Sequence, residues 1–276
     1  MERRWLITGS SKGIGRALVQ TLLEGGHKVV ATARSIEGLS DLSSQFGDRI
    51  ALFPLDVTDA GGAAAAVELA KERFGGLDVV VNNAGFGSVN SVEDASLEDI
   101  RREIETNLFG TIIVTKAVIP LMREQRRGHI INFSSVGGRL GAAGRAAYSA
   151  AKWGVEGFSE VLVKEMSLIG VRVTIIEPGG FRTDFAGGST VLQAGRPDYD
   201  AVVGAAARFQ RDFNGRQPGD PKKAARVIME IGQMEEPPFR LALGRDAVTA
   251  IRNASEGRRN QLSEWEALSM STDFDS

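Results

Sequence analysis

The chain has 276 residues, 42% hydrophobic and 25% charged, with a formal net charge of −2. That balance suits one globular α/β domain over residues 1–276 and offers no basic face for nucleic acid. The absence of cysteine excludes disulfides, a thiol nucleophile and a zinc–thiolate site, and two distant histidines, His27 and His129, argue against a metal centre.

In chain order, Trp5–Thr8 is a short apolar strand, followed by a glycine turn. A helical pattern then runs from Ile14 to Glu24 and stops at Gly25-Gly26. Further strands read at Lys28–Ala33, Ile50–Asp56, Leu77–Asn82, Ile130–Ser134, Val171–Glu177 and Phe239–Leu243. Helices read at Ala60–Phe74, Leu97–Arg123, Ala143–Leu168 and Pro221–Ile231, the last with Asp220 as its cap and Pro221 in its first turn. The strands are short, β-branched and apolar on both faces, as in a buried parallel sheet. Their alternation with helices predicts a doubly wound Rossmann-type fold of about seven strands with helices on both faces. Residues 184–217 read as a substrate-closing excursion. Residues 245–276 form an extension, helical around Ala247–Trp265. No apolar run is expected to span a bilayer. The chain enters its first strand directly after Met1-Glu2-Arg3-Arg4, so no signal peptide and a cytoplasmic location are expected.

Four places along this pattern bear on chemistry. Thr8-Gly9-Ser10-Ser11-Lys12-Gly13-Ile14-Gly15 lies between strand and helix. Its glycines allow a sharp turn and a close approach to a pyrophosphate, and the helix start offers N–H groups and a positive dipole end. The spacing departs from the generic G-x-G-x-x-G. At the end of the second strand, about 20 residues on, NAD-binding proteins place an acid on the ribose hydroxyls. Here Ala33 is followed by Arg34, and Lys12 adds a second cation, which predicts NADP(H) rather than NAD(H). Asp56 and Val57 follow the third strand, positioned for the adenine. Asn82-Asn83-Ala84-Gly85 ends the fourth, with small residues beside the cofactor and asparagines able to tie backbones together.

The fourth place is Gly144–Gly157, which holds Tyr148 and Lys152 at helical i, i+4 spacing. A tyrosine ordinarily titrates near ~10. An ammonium at ~4 Å, with an effective dielectric of about 20, is worth roughly 4 kcal/mol or about three pKa units. This predicts a phenol lowered into the range useful for proton transfer. Taken alone, such a pair is far more often part of an ordinary helix surface.

Together these motifs resemble the short-chain dehydrogenase/reductases. The residues carrying the likeness are Thr8–Gly15, Asn82–Gly85, Asn107, Ser135, Tyr148–Lys152 and Pro178-Gly179-Gly180-Phe181-Arg182-Thr183, in the family's order and spacing over residues 4–183. The resemblance implies Tyr148 as acid–base, Lys152 tuning it and holding the nicotinamide ribose, and Ser135 bonding the substrate oxygen. It implies Asn107 placing a water in a proton relay. Ser134 is the rival for the serine role; Ser135 lies 13 positions before Tyr148, the family's separation. Asparagine is a poor helix former, and at mid-helix Asn107 looks like a functional distortion. Gly9, Ser11, Lys12, Gly13, Ile14, Gly15, Arg34, Asp56, Val57, Asn83, Ala84, Gly85, Pro178, Gly179, Phe181 and Thr183 would hold the cofactor with Tyr148 and Lys152. The implied reaction is hydride transfer between NADP(H) and a carbonyl or secondary alcohol. Phe86, Val136, Leu140, Phe181 and Phe185 suggest a lipophilic substrate, though several are equally at home in the core. A homo-oligomer is expected, dimer or tetramer, with the C-terminal extension favouring the dimer. Two other readings stand: a catalytically silent NADP(H)-binding sensor or scaffold, and an extended-type relative such as a nucleotide-sugar epimerase.

Overall fold

The computed structural model describes residues 2–193 and 195–274. Strands β1 (Arg4–Ile7), β2 (Lys28–Ala33), β3 (Ile50–Pro54), β4 (Val79–Asn82), β6 (Gly128–Phe133), β7 (Val171–Pro178) and β9 (Arg240–Leu243) form one sheet in the order β3-β2-β1-β4-β6-β7-β9. Every pairing is parallel. The expected seven-stranded doubly wound sheet is therefore present. A second, two-stranded ribbon joins β5 (Gly87–Val89) to β8 (Thr190–Leu192); the sequence did not suggest it.

Alternation along each strand divides the core between the sheet's faces. Trp5 and Ile7 pack on one side with Leu18, Leu22, Ile228 and Ile231, from helices α1 (Gly13–Glu24) and α8 (Pro221–Ile231). Leu6, between them, faces Val67, Val114, Val118 and Leu162 on the other. Those come from α3 (Ala60–Phe74), α5 (Gly110–Gln125) and α6 (Ala146–Ser167). As expected, α8 is capped by Asp220, whose Oδ1 accepts from Lys222 N at 2.8 Å, with Pro221 in the first turn.

The single helix expected over Leu97–Arg123 differs from observation. Helix α4 (Leu97–Ile104) passes into a π-helical turn over Glu105–Phe109 before α5 resumes. In that turn Gly110 N bonds Glu105 O, one residue wider than an α-turn. Asn107 lies inside it, fully buried. The composite helix Leu97–Gln125 also corrects the membrane expectation. By length and mean hydropathy (1.3) it is apolar enough to cross a bilayer, but it packs Val114, Val118 and Met122 against the sheet. Helix α2 (Ser40–Phe46) was not anticipated. The excursion carries β8, helical turns over 197–204 and α7 (Ala205–Phe213). The extension is one helix, α9 (Arg245–Met270), mostly exposed.

His129 on β6 is fully buried, and burial pushes its pKa down to about 3. Thr174 Oγ1 donates to Pro238 O at 2.8 Å, so it accepts from His129 Nε2, 2.9 Å away. An unfolded histidine titrates near ~6.5. The unfolded chain therefore binds the extra proton first, and stability falls as pH drops below about 6.5. Urea denaturation of the protein and of His129→Leu at pH 7 and pH 5 should show the variant losing less stability across that interval. An equal loss in both would remove His129 as the cause.

Candidate active site

The strand order reverses between β1 and β4, and the loops leaving their C-terminal ends open a crevice there. Thr8 and Asn83 bind the two loops together. Thr8 Oγ1 accepts from Asn83 N (3.0 Å) and Ala84 N (3.1 Å), while Asn83 Nδ2 donates to Thr8 O (2.9 Å) and Gly9 O (3.1 Å). Gly9 has φ +67°, and a Cβ there would lie 2.8 Å from Ala84 Cα. Gly15 makes α1 pack against the turn, since its Cβ would fall 2.4 Å from Gly9 O. No side chain caps the N-terminus of α1 and no acid occupies its first turn. The donors there are oriented for an anion, as a dinucleotide's phosphates require.

The crevice widens into a cavity of about 910 Å³. Its wall includes Gly9, Ser11, Lys12, Gly13, Ile14, Arg34, Asp56, Val57, Asn83, Ala84, Gly85, Pro178, Gly179, Phe181 and Thr183, together with Ser135, Tyr148 and Lys152. Gly15 and Asn107 are not part of the wall: one packs beneath the turn, the other is buried in the π turn. Val136 and Leu140 also lie outside it, whereas Phe86, Phe181 and Phe185 line it. Arg34 is exposed at the rim, and its charge contributes to holding Asp56 below the usual carboxylate range, after the N–H and hydroxyl of Thr58. Lys12 pairs with Asp184 at 3.7 Å, with both side chains more than 60% exposed, a contact worth little in water.

At the far end, Ser134 still pairs through its N–H with Ile176 O as the strand ends. Ser135 is extended and its Oγ accepts from Gly137 N at 3.0 Å, which leaves its hydroxyl proton free to point elsewhere. Tyr148 and Lys152 rise one turn apart on α6. Lys152 Nζ is 5.8 Å from the Tyr148 ring centroid and donates to Phe133 O at 2.8 Å. The electrostatics depart from expectation. Burial pushes the Tyr148 phenol up, opposed by the Ser135 hydroxyl and the charge of Arg145 and reinforced by Glu103. Burial also pushes Lys152 down to about 8, against Glu103 and Glu156, which favour its charge. The ammonium is turned toward a carbonyl rather than the phenol, so the predicted lowering of Tyr148 does not follow.

The side chain of Asn107 is held by the loop that follows β4. Its Oδ1 accepts from Phe86 N (3.0 Å) and its Nδ2 donates to Phe86 O (2.8 Å), so the amide fixes the loop after β4. Two neighbours escaped the sequence reading. Glu103, four residues before Asn107, is 1% exposed; burial pushes its pKa up, and Ser88 Oγ donates to its Oε2 at 2.5 Å. In the sequence it stands among Arg101, Arg102 and Glu105, the pattern of a solvated helix face. Arg145 stands three residues before Tyr148 on the wall, a spacing that in hindsight marks a shared face.

The model of the short chain dehydrogenase family matches residues 3–191. The chain belongs to that family. Its relatives include Oxidoreductase BOA17 of Botryotinia fuckeliana, 42% identical over 99% of this chain and 100% of that one. A 3-ketodihydrosphingosine reductase of Bacteroides thetaiotaomicron is 35% identical over 87% of each. A solved short-chain dehydrogenase from Streptomyces avermitilis superposes with a TM-score of 0.92 at 40% identity, covering 99% of this chain and 100% of that one. A short-chain dehydrogenase is an oxidoreductase acting between alcohol and carbonyl, and the crevice at the strand reversal fits its nicotinamide dinucleotide.

Gly9→Ala tests that fit. The strained φ alone costs about 1–2 kcal/mol, and the backbone contact adds to it. The variant should melt several degrees lower and bind cofactor at least about tenfold more weakly. Unchanged cofactor affinity in titration calorimetry would detach the turn from cofactor binding.

Proposed function

We propose that this protein is an NADP(H)-dependent carbonyl reductase or alcohol dehydrogenase in which Tyr148 moves the proton. The observation carrying the proposal is that Tyr148, Lys152 and Ser135 line the same cavity as the glycine turn. The nicotinamide, when bound, supplies or accepts the hydride. In the reducing direction Tyr148 gives its phenolic proton to the oxygen as it becomes an alkoxide, and the hydroxyl of Ser135 donates a second hydrogen bond to that oxygen. A phenol pushed up by burial keeps its proton through neutral pH, which favours its service as an acid. The relative named a 3-ketodihydrosphingosine reductase supports the same direction. Phe86, Phe181, Phe185 and Phe213 supply apolar wall and support a substrate with lipophilic parts. NADP(H) is favoured over NAD(H) because β2 ends at Ala33 and Arg34 follows it, where a carboxylate would repel a 2′-phosphate and the exposed Arg34 attracts it. Partly exposed Phe109, Trp153 and Val161, from the helices on one side of the sheet, support a homodimer.

Tyr148→Phe removes the proton donor and leaves the wall otherwise intact. NADPH oxidation against a panel of ketones and aldehydes should fall at least about a hundredfold, with NADPH affinity kept. Wild-type-like turnover would end the role of Tyr148.

Lys152 sets the alkaline limb. Its charge is lost as pH rises through about 8, before the phenol loses its proton, so kcat/KM for reduction should decline above that value. A profile flat to pH 10 would show that the ammonium is dispensable. For cofactor choice, NADPH should dissociate with a smaller Kd than NADH, and Arg34→Ala should narrow the gap; a wild type that binds NADH more tightly overturns it.

A further inference from the structure

Beside Tyr148 stands a cation that proton transfer does not require. The guanidinium carbon of Arg145 is 5.9 Å from the Tyr148 ring centroid, and both side chains line the cavity. A Cβ built on Gly87 would lie 2.9 Å from Arg145 Nη1 and 3.5 Å from Tyr148 Cδ2, so the guanidinium and the ring meet beside Gly87. Arg145 Nη2 donates to Gln210 Oε1 at 2.7 Å and Nη1 reaches Ser88 O at 3.4 Å. These partners orient the fork and are neutral, so they do not cancel its charge. Among the described residues no carboxylate comes within ion-pair distance of it. The acid whose charge it feels is Glu103, and burial favours the neutral form of that carboxyl. A largely buried cation without a contacting counter-ion is costly, and two of its five donors are committed. Phe185 is close to both, 3.4 Å from the same Cβ on Gly87 and with its ring centroid 5.7 Å from that of Tyr148. A charged fork beside aromatic rings and next to the reacting group can fix the orientation of a small-molecule ligand.

We infer that Arg145 anchors an anionic group of the substrate, so that the carbonyl compound handled at Tyr148 carries a carboxylate a few bonds from its reacting carbon. The inference rests on the proposed reductase reading for the position of the carbonyl. The rest of the molecule lies along the phenylalanines. A neutral ketone lacks the anchor, and an amine near the carbonyl is repelled.

The test uses straight-chain oxo acids that differ in the distance from ketone to carboxylate, each paired with its methyl ester, which keeps the shape and removes the charge. They are assayed with wild type, Arg145→Met and Arg145→Lys, with NADPH oxidation as readout. Wild type should prefer at least one acid over its ester by about tenfold or more in kcat/KM, mainly through KM. Arg145→Met should lose that preference and Arg145→Lys should keep part of it. Esters that match their acids in wild type overturn the inference. So does an Arg145→Met variant that loses acid and ester equally, or one whose NADPH affinity falls as far as its activity on the acid. Titration calorimetry of the same pairs into NADPH-loaded protein separates this result from the reductase reading. If no carbonyl is turned over, the reductase reading fails. Tighter binding of an acid than its ester, lost in Arg145→Met, then still supports the anchor, and equal binding overturns it.

Discussion

The molecule depends on the clamp between Thr8 and Asn83. A doubly wound sheet pairs two adjacent strands whose connections depart in opposite directions, and the ladder between β1 and β4 does not reach the loops beyond their ends. One hydroxyl accepting two backbone N–H groups, and one amide donating to two carbonyls, set the gap between those loops. With the gap fixed, the glycine turn has one conformation and α1 has one starting point. Beneath it a buried polar chain continues the same work. Asn82 Nδ2 donates to Thr115 Oγ1 and Asn132 Oδ1, and Asn132 Nδ2 to Ser159 Oγ, joining β4, β6, α5 and α6. The helix that presents Tyr148 and Lys152 is thereby tied, through hydrogen bonds in a dry interior, to the strands that present the cofactor turn.

The electrostatics of the far end follow from burial more than from pairing. Lys152 is 4% exposed and is held by a main-chain carbonyl. Its environment weakens its charge, while two carboxyls, Glu103 and Glu156, partly restore it. The phenol is moved in the direction that favours its proton. Two groups at helical spacing do not therefore tune one another by spacing alone. Where each head group points decides whether the Coulomb attraction is spent on the neighbour or on the backbone.

The sheet was legible because seven short segments are mostly apolar and most of them rich in β-branched residues, and the periods on either side of them are helical. The cap at Asp220 was legible because Asp-Pro has one good position at a helix start. The ribbon of β5 and β8 was not, since Gly87–Val89 and Thr190–Leu192 are three residues each and their pairing is set by tertiary placement. The wall of the cavity was legible where motif residues are small or polar against their surroundings. It failed at Val136 and Leu140, which do not line the cavity. Glu103 was hidden by its charged neighbours, because helical phase across an irregular turn cannot be counted from sequence.

That irregular turn has a consequence for how the long helix can vary. One extra residue in a turn rotates everything beyond it by about 100° relative to a regular helix. With the insertion in place, Glu103 and Asn107 point toward the loop after β4 while Val114, Val118 and Met122 still meet the sheet. Regularising the helix by a single deletion would keep its length and composition nearly unchanged, yet only one half could then face inward. The two halves are geared to different partners through that one wide turn, and insertions or deletions along this helix are tolerable only in pairs that restore the gearing.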